Sequence, residues 1–524
     1  MSLSCAGLIA LTLVAFLPVF DAGFVRWDDH YSVEDNAGLR DPAGLAKIWD
    51  PRARATPQYY PLVFSSYWLE YRLWGVDARG CHATNVAVHA TAVCGALLLA
   101  RRLGLGMAAA VFVAALFAVH PVQVASVAWV SERKNVLSGL FYLLAFLAYL
   151  RYRRTGERTA YAGCVLSFVA ALLAKTQTVT LPLSLLLAEV ALQRRALLLR
   201  VALGRVVLRL VPFVLIGVAA GGVTWWAEQE PWTRDLPALA RVLTAATAAW
   251  FYAATFVAPV RLSPVYAEWT VSVTDPRWWV AVCAWPLLLG LLRAARRHVT
   301  DLAWWGAAQF YLVLLPVLGL VSFNFLTYAS VADHFMYLAV IGGAVAVAAQ
   351  AEQWVGVRPT RRRPVAALAC AVVALCAVQT YREAGHWRTN ETFWLHVRER
   401  DPGGFLAHFN LGKHYARVGE WAQAEASLAQ AAAIRPQVAY PFRHYVQAVA
   451  NAQGPQAAIA ACDAKLAAMP DFAAAFLERG VARERLGQRD AALGDYLRAQ
   501  YATKPGTPLW NEARQRRQAA RGNP

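Results

Sequence analysis

Apolar stretches of roughly 20 residues recur along this chain, and that length is what a hydrocarbon core about 30 Å thick demands of a helix. The first runs from Leu3 to Phe20. Others are expected near 83–101, 107–128, 135–151, 160–174, 177–193, 205–225, 278–293, 302–322, 336–354 and 363–380. The result is about eleven spanning helices. With 58% hydrophobic residues, 16% charged residues and a mean hydropathy of +0.36, a soluble enzyme is excluded. The 20 Trp and 20 Tyr suit many membrane–water boundaries.

The net charge of +18 does not mark a nucleic-acid binder. The basic residues sit in short clusters between apolar stretches: Arg101-Arg102, Arg151 to Arg158, Arg194 to Arg209, Arg293 to Arg297 and Arg358 to Arg363. That is the positive-inside pattern. It sets the N-terminus and these clusters in the cytoplasm, and loops 21–80, 129–134, 175–177, 226–277 and 323–335 outside, with everything after about Tyr381. Segment 236–257 keeps that alternation only as an interfacial or re-entrant helix. Tyr59 to Tyr71 is short, aromatic and amphipathic, as a helix lying in the interface would be. Six of the eight Cys lie in apolar stretches, and no metal-type Cys spacing is present.

The tail has a different period. From Phe405, Asn410-Leu411-Gly412, Tyr415, Ala424, Leu428, Ala431 and Pro436 follow the 34-residue tetratricopeptide pattern. Ala424, Ala458 and Ala492 repeat at that interval, and Gly412 and Gly480 stand two periods apart. The domains are therefore a membrane unit over 1–385, a linker over 386–404, about three repeats over 405–510 and a polar tail over 511–524.

The chemistry-bearing stretch follows the first apolar segment: Arg26-Trp27-Asp28-Asp29-His30. Adjacent carboxylates repel, so one should bind protons more tightly or sit on a donor or cation. A carboxylate so raised at a membrane boundary is a candidate general base. Glu132-Arg133-Lys134 and Lys175 lie on short loops of the same face. Arg133 and Lys134 run against the positive-inside bias, and Arg and Lys are the usual phosphate partners. A head-group anchor explains them equally. His120 reads as a hydrogen-bonded core histidine. Asp333, His334 and Tyr337 either line a groove or cap the next helix.

Several of these stretches together resemble one family. They are Phe24 to Asn36, the Tyr59-Tyr60-Pro61 helix, Gly80 to His89, His120 to Asn135, Lys175 to Pro182, and Ala332 to Leu338, with the tetratricopeptide tail. The chain resembles the transmembrane and tetratricopeptide repeat-containing O-mannosyltransferases and their bacterial relatives, which are GT-C glycosyltransferases. It departs at Asp333-His334, where that family more often has Asp-Arg, and at Thr176, where an acidic residue usually follows the Lys. The resemblance implies an all-α, GT-C-like membrane bundle with interfacial helices, followed by a tetratricopeptide α-solenoid. It implies inverting transfer of a mannose-like hexose from a polyprenyl-phosphate donor to a hydroxyl, with protein Ser/Thr the expected acceptor. Asp28 would be the base. Asp29 would orient the acceptor, or the two acids would hold a divalent cation, Mg or Mn. Arg133, Lys134 and Lys175 would bind the donor phosphate. Arg26, His30, His120, Glu132, Asp333, His334 and Tyr337 would line the site. The expected setting is a bacterial inner membrane with the tail in the periplasm. Two other readings remain: a related enzyme acting on a lipid or surface polysaccharide, and a non-enzymatic scaffold.

Overall fold

The computed structural model describes residues 1–193, 200–227, 236–321 and 323–522. Positions 194–199, 228–235, 322 and 523–524 lie outside the described residues, and with them the start of one basic cluster, part of loop 226–277, the end of segment 302–322 and the last two tail residues. Among the described residues every regular element is helical, and the chain divides into two compact units, Met1–Asn390 and Glu391–Pro524.

Among the described residues of the first unit seven helices are long and apolar enough to cross a membrane: Ala78–Arg102, Val130–Thr155, Gly204–Ala227, Ala238–Val257, Pro276–His298, Ala339–Val357 and Pro359–Gly385. An eighth is a pair bent by 47° where Met107–Val119 meets Pro121–Val127. The bend falls at Pro121, whose ring cannot join the ladder of hydrogen bonds. The other expected spans are shorter helices. Ser2–Ala15 has 14 residues, or about 21 Å at 1.5 Å per residue. Arg158–Ala174 and Thr176–Ala191 fall in the same shorter class, and Asp301–Leu314 stops after 14 residues.

Of the two readings of segment 236–257, interfacial or re-entrant, the structure speaks against the second. It is one unbroken 20-residue helix, Ala238–Val257, and a re-entrant turn needs a break that this helix lacks.

Ala78–Arg102 packs against Arg133–Thr155 and Met107–Val119 at the centre of the unit. Asp301–Leu314 and Ala339–Val357 approach backbone to backbone. A Cβ at Gly306 would come within 2.5 Å of Ala346 N, and one at Gly342 within 2.7 Å of Phe310 N. Small residues permit this, and close contact is what holds helices together in lipid. Pro276–Ala294 has no buried residue and marks the periphery.

The helix Pro61–Trp74, expected at the interface, is pinned to the centre by Arg133, which is fully buried. Its guanidinium donates to Asn85 Oδ1 (2.8 Å), Ser66 Oγ (3.1 Å) and Cys81 O (2.9 Å). It also pairs with Glu70 at 2.7 Å and lies 4.4 Å over the Tyr67 ring.

The second unit begins with the helix Asn390–Arg400, within what the sequence gives as a linker. Three helical pairs follow: Phe405–Val418 with Trp421–Ile434, Ala439–Ala452 with Pro455–Ala468, and Ala473–Arg485 with Arg489–Tyr501. Ala424, Ala458 and Ala492 are all fully buried, one at the same place in each pair. Gly480 is required because a Cβ would come within 2.6 Å of the Tyr496 ring, and Gly412 stands likewise against Leu428. Pro508–Gly522 covers the last pair with Ala513 and Ala520.

Removing one partner of a buried ion pair strands the other charge, at a cost of about 3–5 kcal/mol. Arg133→Met should therefore lower the thermal midpoint of the purified protein clearly, and Arg133→Met with Glu70→Met should recover much of the loss. Unfolding followed by intrinsic fluorescence reads both.

Candidate functional site

The Trp-Asp-Asp loop is fastened by its second acid. Asp29 is 1% exposed. Its Oδ2 accepts the Val25 N–H at 2.9 Å, and its Oδ1 accepts the Ser131 N–H at 2.8 Å and the Ser131 hydroxyl at 2.5 Å. Burial nonetheless pushes its carboxyl up to about 7, against the pull of those three donors. Trp27 adds a stack on Trp129, with centroids 5.3 Å apart and planes 23° from parallel. Arg26 braces the loop from within, through Asp35 at 3.2 Å and Glu34 at 3.6 Å. His30 packs on Tyr31 at 3.7 Å.

These ties leave Asp28 different from its neighbour. It is half-buried, and among the described residues its carboxylate accepts no hydrogen bond. Burial raises its proton affinity, the Lys134 charge lowers it, Glu132 raises it, and the net shift is upward.

Behind Asp28 lies a charged knot around Glu132, which is buried. Lys134 Nζ lies 2.9 Å from its Oε1, and Lys175 Nζ 3.4 Å from its Oε2. Asn135 donates to Oε2 at 2.5 Å and accepts from Lys175 Nζ at 2.6 Å. Lys134 also donates to Gln58 Oε1 at 3.1 Å. Asn135 reaches onward to the His334 carbonyl at 3.0 Å. A cavity of about 20 Å³, room for a single water, opens between Asn135, Lys175, Gln177 and His334.

The sequence-derived residues thus fall into groups. Asp28, Glu132, Lys134 and Lys175 come together, with His334 beside them. Burial drives the His334 imidazole down to about 3, so it is neutral at pH 7 and brings no charge to a phosphate. Arg133 departs from its expected role: every branch of its guanidinium is committed to the packing of the interfacial helix, away from any ligand. Tyr337 donates or accepts at His89 Nδ1 (2.9 Å) in the core, and His120 bonds the Phe256 carbonyl at 3.0 Å while stacking on its ring. Asp333 belongs to a separate nest, where it accepts the Tyr266 hydroxyl at 2.8 Å and is pushed up to about 8 by burial. Sequence reasoning missed Ser131, Asn135, Gln58 and Tyr266. Polar residues inside the Ser-Glu-Arg-Lys-Asn run were the available signal for the first two; nothing local marks the others.

A helical membrane unit carrying a tetratricopeptide solenoid, with carboxylates and lysines gathered at one boundary, is the class of protein that this geometry defines. The comparisons narrow it. No protein-family model matches the chain. It is 32% identical over 183 residues to the Drosophila melanogaster protein O-mannosyl-transferase Tmtc1, covering 33% of this chain and 21% of that protein. It is 28% identical over 177 residues to the human protein O-mannosyl-transferase TMTC4, covering 29% of this chain and 24% of that one. A Caenorhabditis elegans protein O-mannosyl-transferase is 22% identical over 435 residues, covering 78% of this chain and 59% of its own length. The chain is a relative of the transmembrane and tetratricopeptide repeat-containing O-mannosyltransferases, and it spans about a fifth of the length of the first such proteins. Among solved structures, an Arabidopsis OM64 tetratricopeptide domain aligns with 22% of the chain at 20% identity and a TM-score of 0.19, too local to carry an argument.

Asp29 and Asp333 both bind protons more tightly when folded, near 7 and 8, than an unfolded Asp does near 3.9. A raised acid contributes stability below its unfolded value and loses it as pH rises through the folded one. Thermal stability should fall as pH rises from about 4 to about 8 and level off above that. Asp29→Asn together with Asp333→Asn should flatten that slope in melts across the range.

Proposed function

We propose that the chain is a membrane glycosyltransferase that moves a mannose-like hexose from a polyprenyl-phosphate donor to a hydroxyl on a polypeptide, with inversion. The observation that carries this reading is the inequality of the two acids. Asp29 is spent on the loop, whereas Asp28 keeps an uncommitted, proton-hungry carboxylate beside Lys134.

In this reading Asp28 takes the proton of the acceptor hydroxyl. The acceptor oxygen then forms a bond to the anomeric carbon on the face opposite the phosphate. The bond from that carbon to the phosphate oxygen breaks, and its electron pair leaves with the lipid phosphate. Lys134 and Lys175 supply the positive charge that meets this leaving group. Glu132 holds the two ammonium groups in place until then, and Asn135 fixes Lys175 from the other side. The setting proposed is a bacterial inner membrane with reaction at its outer face.

The acids fit a divalent cation poorly. Three protein donors already bond the Asp29 oxygens, two on Oδ1 and one on Oδ2, so Asp29 has little left to offer a cation beside Asp28. The reaction is therefore written with protein charges only.

The solenoid of the second unit is assigned to binding the polypeptide acceptor, because stacked helical pairs present an extended concave surface. A chain ending at Gly404 should lose transfer to a folded protein acceptor far more than transfer to a short peptide.

Asp28→Asn keeps size and removes basicity, so turnover should drop about 10²–10⁴-fold with donor affinity nearly unchanged. Lys134→Ala and Lys175→Ala should each weaken donor use by about 1.5–3 kcal/mol. Radiolabelled-sugar transfer in proteoliposomes measures all three. Near-native turnover in Asp28→Asn would return this carboxylate to a structural role.

A further inference from the structure

The Ala238–Val257 and Pro276–Ala294 helices form a pair at the periphery of the first unit. They are clamped by tryptophans. Trp250 Nε1–H donates to Ala281 O at 3.1 Å, Trp285 Nε1–H donates to Ala246 O at 3.4 Å, and the two rings lie 4.8 Å apart. Toward the start of Pro276–Ala294 a cavity of about 610 Å³ opens, walled by Trp250, Trp278, Thr247 and Thr270. That is the size of a small-molecule pocket, and it shares no lining residue with the small cavity beside the Glu132 knot.

The cavity has two kinds of surface. Down the helix its lining is apolar, through Val280, Ala281 and Ala284. At its mouth stand a carboxylate and a guanidinium. Asp275 accepts from Arg277 in a fork, Nε to Oδ1 at 3.0 Å and Nη2 to Oδ2 at 2.7 Å. Arg277 is 89% exposed, so this pair can rearrange around an incoming group at little cost. Val280 and Leu287 are exposed on the same helix, which therefore faces lipid. Trp278 and Trp269 pack 6.0 Å apart at its start, where amphipathic rings mark a membrane boundary.

We propose that this cavity is a phospholipid site selective for a zwitterionic head that carries a primary ammonium beside its phosphodiester. An apolar floor opening to lipid takes acyl chain. The mouth carries one charge of each sign and no net charge. Asp275 receives the ammonium, and Arg277 forks onto the phosphate. A head that keeps the phosphodiester but lacks the ammonium, such as phosphatidylglycerol, offers Asp275 no cation to pair with.

Occupancy reaches the rest of the unit through the loop that closes the cavity. Thr270 on the wall follows Trp269, whose N–H donates to Ser330 Oγ at 3.1 Å. Tyr266 on the same loop holds Asp333. A lipid seated against Thr270 thus steadies the segment that carries His334 into the Glu132 knot.

Native mass spectrometry of the full chain, titrated with phosphatidylethanolamine or phosphatidylglycerol, tests this. One saturable phosphatidylethanolamine adduct is expected, retained about tenfold better than phosphatidylglycerol, the ratio that one charge-assisted contact gives. Asp275→Asn keeps the helix cap and should erase that preference. Arg277→Gln should weaken both lipids. Both variants alter groups at the cavity mouth, so they leave the fold intact. Equal retention of the two lipids by the native chain, no saturable adduct, or unchanged preference in Asp275→Asn would each overturn the proposal.

Discussion

The Asp29 carboxylate, closed in by Val25 and Ser131, is the tie on which the site depends. It joins a loop near the N-terminus to a turn a hundred residues later, and nothing else along that loop is so deeply buried and so fully bonded. Three donors on one carboxylate fix its position within the width of a hydrogen bond, and Trp27 on Trp129 fixes the loop's tilt. Asp28 is then aimed by its neighbour rather than by contacts of its own. That is how a carboxylate can be both well placed and chemically uncommitted. Adjacent acids suit this arrangement because the first can stay poised only if the second anchors.

Two buried cations near one another, Arg133 and Lys134, meet opposite fates through what surrounds them. Arg133 faces a shell that matches its fork: an amide oxygen, a backbone carbonyl, a hydroxyl, a carboxylate and an aromatic face. A guanidinium so satisfied has nothing left to offer a ligand. Lys134 and Lys175 instead share a single carboxylate between two ammonium groups. Glu132 is shared between them, with the Asp28 carboxylate close enough to feel the Lys134 charge. The chain thus divides these cations into one that packs the Pro61–Trp74 helix and two that share Glu132.

Much of this was legible in residue patterns. The recurrence of apolar stretches read as a helical membrane unit, and the 34-residue spacing of Ala424, Ala458 and Ala492 read as stacked pairs because only a small side chain fits that crossing. What spacing could not resolve was length and role. Pro121 bends one expected span, and Asp301–Leu314 stops short, since hydropathy reports composition and not where hydrogen bonding breaks. Charge alternation left segment 236–257 as an interfacial or re-entrant helix, and its continuity over 20 residues speaks against the re-entrant form only. Arg133 and Lys134 are adjacent in sequence and point to different neighbours, which no one-dimensional pattern records. Tyr266 and Asp333 meet across 67 residues with no local signal on either side.

The exchange of Arg for His at position 334, relative to the family that this chain resembles, follows from the same electrostatics. A guanidinium there would stand beside Lys134 and Lys175 with only Glu132 to offset three cations. Neutral imidazole, kept so by burial, avoids that repulsion and still packs its ring edge-on against Trp129 at 5.9 Å. Lys175, which the resembled family also carries, is held beside it by Asn135. Positive charge is thus carried to the site on two flexible stems instead of a rigid fork. A lysine presents its charge as a point and can follow a moving phosphate, whereas a guanidinium demands one orientation. In the proposed reaction the leaving group would depart with a membrane-held lipid and move as its bond breaks, and point charges on flexible stems would be the better match to it.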